Sequence, residues 1–93
     1  MLDCCVREIR WTDDSEDHIA RHNVVPAEVE DVIYMRPRLI EPSEDDTEKV
    51  FGRSAAGRYL MVVLAEAEDG RSTVVTARDM NDSERRRFTT RAR

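Results

Sequence analysis

The stretch from Thr47 to Phe88 constrains this chain more than any other part of it. In its middle, Tyr59, Met61 and Val63 alternate with Leu60, Val62 and Leu64, so a strand from Arg58 to Glu66 is apolar on both sides. Such a strand is a central one, covered on both faces. Turn signals bracket it. Ser54-Ala55-Ala56-Gly57 precedes it, with a glycine free to take positive φ, and Asp69-Gly70 follows it. Upstream, Thr47 to Ser54 reads as a strand with Lys49, Phe51 and Arg53 on one face. Downstream, Thr73, Val74, Val75 and Thr76 are β-branched and suit a pleated surface. Three consecutive strands joined by short turns form an antiparallel meander.

The last strand runs into a helix. Asn81 is a helix cap, and Glu84, three residues later, can return a bond to the cap's N–H. Arg78 sits where the strand runs out, held by the sheet and open to solvent, a position that suits an anion-binding guanidinium.

The first half reads as a strand and a helical hairpin. Val6 to Trp11 alternates as a short edge strand. Thr12 or Asp13 starts a helix, with Asp13 and Glu16 in capping-box spacing and Ser15, Ile19 and His22 as the expected buried face. Asn23 tolerates the left-handed conformation that ends helices. Pro26 opens a second helix with the stripe Val29, Val32 and Ile33, and Pro37 stops it. Arg38 to Glu41 is a further strand, followed by the acidic loop Glu41-Pro-Ser-Glu-Asp-Asp46. The expected fold is α+β, a single domain over residues 1–93 in the order β-α-α-β-β-β-β-α, with helices packed on a small antiparallel sheet.

Composition narrows the function classes. The chain has 93 residues, 40% hydrophobic and 38% charged, which is a globular composition with a heavily charged surface. No apolar run is long enough to span a membrane, and the N-terminus lacks the basic and apolar regions of a signal peptide, so a cytoplasmic location is expected. Cys4 and Cys5 are adjacent and have no other cysteine to pair with, so they read as reduced thiols. Net charge is −5, but residues 1–69 hold 17 acids against 8 bases while residues 70–93 hold 3 against 7. One end therefore favours phosphate and the rest repels it. A solvated helix face accounts for the same charges.

His18 and His22 share one helix face at metal-ligand spacing, but no third ligand accompanies them, and no metal or other cofactor is expected. His22 reads either as a capping histidine or as a group that moves protons. Arg53, Arg58 and Arg78 lie on or beside neighbouring strands. Converging on one sheet face, they would hold a phosphate and stabilise charge developing on it. They read equally as surface arginines paired with the abundant acids. Arg85, Arg86 and Lys49 are candidate contacts to a nucleic-acid backbone, Asn81 and Glu84 a structural cap, and Tyr59 a core or interface residue.

Together, Trp11-Thr-Asp, His22-Asn-Val, Pro-Ala-Glu-Val-Glu, Phe51-Gly-Arg53, Gly57-Arg58-Tyr-Leu, Thr76-Ala-Arg78-Asp-Met and Glu84-Arg-Arg-Arg-Phe88 resemble the BrnT family, toxins of a bacterial toxin–antitoxin class. The resemblance runs over roughly residues 9–88. It implies a RelE/ParE-like fold, ribonuclease activity, and a DNA-binding antitoxin that occludes the active site. It leaves homo-oligomerisation open. On this resemblance His22, Arg53, Arg58 and Arg78 are the expected catalytic residues, in a metal-independent attack of a ribose 2′-OH on the adjacent phosphate. Arg85 stands at a family Glu-Arg pair. Three positions depart from the family pattern: Asn23 replaces glycine, Val25 replaces a hydroxyl cap, and Phe88 replaces tyrosine. The alternative expectation is an inactive relative that only binds a protein partner or takes part in transcriptional regulation.

Overall fold

The structure, a computed structural model, describes residues 8–92. Its elements are β1 (Ile9–Arg10), α1 (Asp13–Ala20), α2 (Pro26–Tyr34), β2 (Arg38–Pro42), a 3-10 turn (Glu44–Asp46), β3 (Glu48–Arg53), β4 (Tyr59–Glu66), β5 (Ser72–Asp79) and α3 (Asp82–Arg91). Cys4, Cys5, Val6 and Arg7 lie outside the described residues.

Five strands form one sheet in the order β1-β5-β4-β3-β2. β2 to β5 are antiparallel neighbours, as hairpin connections require. The sheet is mixed rather than wholly antiparallel, because β1 pairs with β5 in parallel, Ile9 opposite Ser72 and Arg10 opposite Thr73. A parallel pair needs a long crossover, and here everything between the two strands supplies it. A bulge in β5 shifts the register between Val63 and Leu64 and leaves Val75 exposed.

Each sheet face has its own core. On one, Ile19, Val24, Val29, Val32 and Ile33 of the helical hairpin pack on Val50, Leu60, Val62, Leu64, Val74 and Ala77. On the other, Phe88 of α3 packs with Met80 on Phe51 and Met61. Each large apolar side chain buried this way contributes roughly 1.5–3 kcal/mol before entropy is counted. The contact of α2 with β3 is close. A Cβ on Gly52 would stand 3.2 Å from both the Cγ1 and the carbonyl oxygen of Val32.

The helix starts follow local chemistry. Thr12 caps α1 and exchanges bonds with Ser15, so the cap is Thr12 with Ser15 rather than Asp13 with Glu16. Hydroxyls at both ends satisfy the same two N–H groups a carboxylate would. Val25 stands at the cap of α2 and has no acceptor, so only the return half of the box forms, from Val25 N–H to the Glu28 carboxylate at 3.2 Å. Asn23 takes φ 60° between the two helices. Because α1 ends at Ala20, His22 falls in this turn and is exposed, while Ser15 and Ile19 are buried as the helical spacing predicts. α2 ends at Tyr34, and the Arg36–Pro37 peptide is cis. No helix among the described residues is long and apolar enough to cross a membrane.

Candidate functional site

β3 ends, β4 begins and β5 ends at one end of the sheet. The turn between α1 and α2 meets that end on one face, and the start of α3 meets it on the other. Every arginine expected at a catalytic position therefore gathers at this end, but the sheet divides them.

Arg58 belongs to the helical-hairpin face. Its Nε donates to Asp79 Oδ1 at 2.8 Å and Nη2 to Asp79 Oδ2 at 3.2 Å. Nη1 donates to the Asn23 carbonyl at 2.6 Å and to Glu28 Oε1 at 3.1 Å, and Nη2 to the His22 carbonyl at 3.1 Å. These bonds use all the N–H donors a guanidinium has. The Asp79 bonds raise the Arg58 pKa, and the same bonds lower that of Asp79. Arg58 is thus a tie between the α1–α2 turn, β5 and α2. A parallel tie joins the Ala55 N–H to Asp31 of α2 at 2.9 Å. The expectation that Arg58 converges with Arg53 and Arg78 on one sheet face does not hold. Arg58 directly precedes Tyr59, and successive residues of a strand face opposite ways. His22 lies on Arg58's side, with its ring exposed and 6.4 Å from that of His18 between centroids. Among the described residues, no group of three or more His, Cys, Asp and Glu could hold a metal.

The α3 face carries the other groups. Arg78 Nη1 and Nη2 each donate to a separate oxygen of Glu84 at 2.9 Å, and Nη1 also reaches the Asp79 carbonyl at 2.9 Å. Glu84 is 5% exposed and closes the cap of α3, accepting the Asn81 N–H at 2.9 Å while Asn81 Oδ1 accepts the Glu84 N–H at 2.8 Å. Burial pushes the Glu84 carboxyl up, but the Arg78 and Asn81 bonds outweigh it, and the group is held below its usual value. The Arg78 Nε–H takes part in none of these bonds.

Beside this pair lies a cluster of arginine and tyrosine. The guanidinium of Arg53 is 4.9 Å from the Tyr59 ring centroid, and that of Arg85 is 4.2 Å from it. Phe88 meets the same ring edge-on, with centroids 5.9 Å apart. Arg53 and Arg85 are exposed and pair with no carboxylate among the described residues. Arg53 shares this face with Arg78, two strands away and two residues along, a separation of ~12 Å between Cα atoms at ordinary sheet spacing. Long side chains can bridge that distance around one phosphate-sized ligand.

The remaining expected contacts are more scattered. Lys49 lies further along β3 on the same face, opposite Glu41 of β2. Arg86 is exposed on α3, and Arg87 turns inward to Glu41 at 3.3 Å and over the Phe51 ring. The opposite end of the sheet is acidic. An open cavity of about 740 Å³ there is lined by Glu8, Asp46, Glu48, Glu66 and Asp69, with Arg71 the one base. Phosphate is repelled there and attracted at the arginine end.

Tyr59, which reads from sequence as a core or interface residue, stands at the centre of this cluster, and Asp79 and Glu28 complete the Arg58 tie. For Tyr59 the signal was present, since it shares a strand face with Met61 and lies directly across from Arg53 in the hairpin. Asp79 and Glu28 carried no local signal, because their partner Arg58 is remote in sequence.

What the fold and this end of the sheet define together is a small α+β domain with a cationic, aromatic-centred surface at one end. No protein-family model matches the chain, and no curated protein matches it.

Proposed function

We propose that this chain is a BrnT-like toxin of RelE/ParE-like architecture and a metal-independent endoribonuclease. The observation that carries this reading is the pair of exposed, carboxylate-free guanidiniums of Arg53 and Arg85 on the Tyr59 ring. Two such groups at one phosphate stabilise the extra negative charge of a phosphorane, and an aromatic neighbour suits a nucleotide better than a simple anion. Arg78, aligned by Glu84, offers its remaining N–H donors to the same phosphate. In the reaction the ribose 2′-oxygen bonds to phosphorus and the bond to the 5′-oxygen breaks. The 2′-OH proton leaves to a base, and the 5′-oxygen gains a proton, giving a 2′,3′-cyclic phosphate and a 5′-hydroxyl. His22 is the proposed proton carrier; it lies beside Asp79 on the helical-hairpin face, across the sheet end from Arg53 and Arg85, so the RNA would have to pass over that end to meet both. Relative to the site expected from sequence, Arg85 takes the place of Arg58. A DNA-binding antitoxin would cover this surface.

A second reading is a non-catalytic module on the same scaffold. The specific observation in its favour is that Arg58 and Arg78 are already neutralised by the chain's own carboxylates.

The test is cleavage of a mixed RNA pool by purified protein in EDTA at low salt, which gives a weak RNA binder its best opportunity. The control is the Arg53→Ala/Arg85→Ala double variant. Cleavage with cyclic-phosphate ends that the double variant loses supports the nuclease. No cleavage by the wild type selects the binding module, and equal cleavage by both removes these arginines from the site.

A further inference from the structure

β2 is an outer strand of the sheet, with no neighbour beyond it among the described residues. Its backbone shows which groups are left open. The Ser43 N–H donates to the Thr47 carbonyl at 2.8 Å, in line with the register that pairs Pro42 with Glu48. Antiparallel pairs alternate between bonded and non-bonded positions. Leu39 and Glu41 therefore turn their backbone groups toward β3, and Arg38, Ile40 and Pro42 turn theirs to the open edge. The missing N–H of Pro42 falls on that edge, where β3 does not need it.

The side chains do little to guard this edge. Ile40, at its centre, is 40% exposed. The strand has no lysine, and the Arg38 guanidinium folds back to the Ile33 carbonyl. Pro42 removes one donor from this edge, but the backbone groups of Arg38 and Ile40 stay open, and such an edge is a template for another strand.

We propose that β2 pairs antiparallel with β2 of a second copy of this chain across a two-fold axis through Ile40, extending one continuous sheet through both copies. In that register the two Ile40 residues exchange both backbone bonds, and each Arg38 N–H reaches a Pro42 carbonyl of the other copy. The Ile40 side chains meet across the axis. Charge selects a second copy as the occupant. The strand is entered through Arg36 and Arg38 and left through Glu44, Asp45 and Asp46. Two-fold antiparallel pairing sets the basic end of each copy against the acidic end of the other. A parallel pairing would set like charges together. The edge is shorter than a standard interface of about 800 Å² per partner, so the dimer is a weak, concentration-dependent one. This pairing does not rest on the ribonuclease reading.

The experiment is sedimentation equilibrium of the full chain from low micromolar to near-millimolar concentration, beside Ile40→Lys and Ile40→Val. The expected result is a concentration-dependent dimer for wild type and Ile40→Val. Ile40→Lys, which sets two ammonium groups face to face, remains monomeric with an unchanged circular dichroism spectrum. Hydrogen exchange is the second readout. The Arg38 and Ile40 amides, exposed at a free edge, slow with rising concentration, while those of Leu39 and Glu41 do not change. A wild-type monomer throughout the range overturns the proposal. So does a dimer that survives Ile40→Lys, or one that forms without protecting Arg38 and Ile40.

Discussion

Arg78 and Glu84 are joined by two parallel hydrogen bonds of 2.9 Å, and the same carboxylate caps the backbone of α3 through Asn81. The end of β5 and the start of α3 are therefore one rigid corner. Glu84 has a lowered pKa in the folded chain, so its contribution is complete above the ordinary glutamate range and is lost as pH falls through the lowered value. Glu84→Gln keeps an acceptor for the Asn81 N–H but loses the charge. With Arg78 partly exposed, the expected loss at neutral pH is about 1–2 kcal/mol. Urea melts of wild type and variant from pH 7 to pH 3 should converge as the medium becomes acidic. Parallel curves would show that the ion pair contributes nothing.

Arg58 is the second corner, and it is structural. Arg58→Ala removes charged bonds to Asp79 and Glu28 and leaves the His22 and Asn23 carbonyls without their donor. The expected destabilisation is about 2 kcal/mol. On the proposed ribonuclease reading, affinity for RNA, measured well below the melting temperature, should stay within a factor of two or so of wild type (~0.4 kcal/mol). A stable protein that loses RNA binding would return Arg58 to the ligand site.

Gly52 sets the distance between α2 and β3. Gly52→Ala forces Val32 away from a 3.2 Å contact that includes its backbone oxygen, which a rotamer change cannot relieve. Overpacking of this kind costs about 1–3 kcal/mol. Thermal melts should show it, whereas Gly70→Ala meets no atoms within 4 Å and carries only the backbone strain of φ +86°.

The cationic cluster is testable by salt. If Arg53 and Arg85 neutralise one phosphate between them, removing both lowers the slope of log affinity against log salt by about 0.7 for a single strand. Tyr59→Phe keeps the ring and should retain the slope. Tyr59→Ala releases both guanidiniums and should weaken binding by roughly 1 kcal/mol or more. Fluorescence anisotropy with a labelled oligonucleotide at several salt concentrations measures all of these.

Much of this arrangement could be read from residue order. The meander was visible because the turn at Gly57 and the alternation in β4 are local signals, and the Asn81–Glu84 cap for the same reason. The separation of Arg58 from Arg53 was also written in that alternation. Tyr59 shares the face of Met61, which leaves Arg58 on the face of Leu60. Nearness in the hairpin alone would group all three arginines, but the alternation separates them. His22 fits the buried face only if helical spacing continues past Ala20; the helix stops there, and His22 is exposed. The parallel pairing of β1 with β5 had no local signal at all, since neither strand's side chains encode a neighbour so remote in sequence.

That pairing also orders events in time. Ile9 stands opposite Ser72, and the Ser72 N–H bonds to the Glu8 carbonyl at 2.9 Å. The opening strand must therefore wait for the fifth, while the β2–β3–β4 meander can assemble from short hairpins as soon as it is made. A contact closing so long a loop is among the last to form. During synthesis the helical hairpin and meander can collapse first, and the docking of β1 onto β5 completes the domain only once nearly all of its residues have been made.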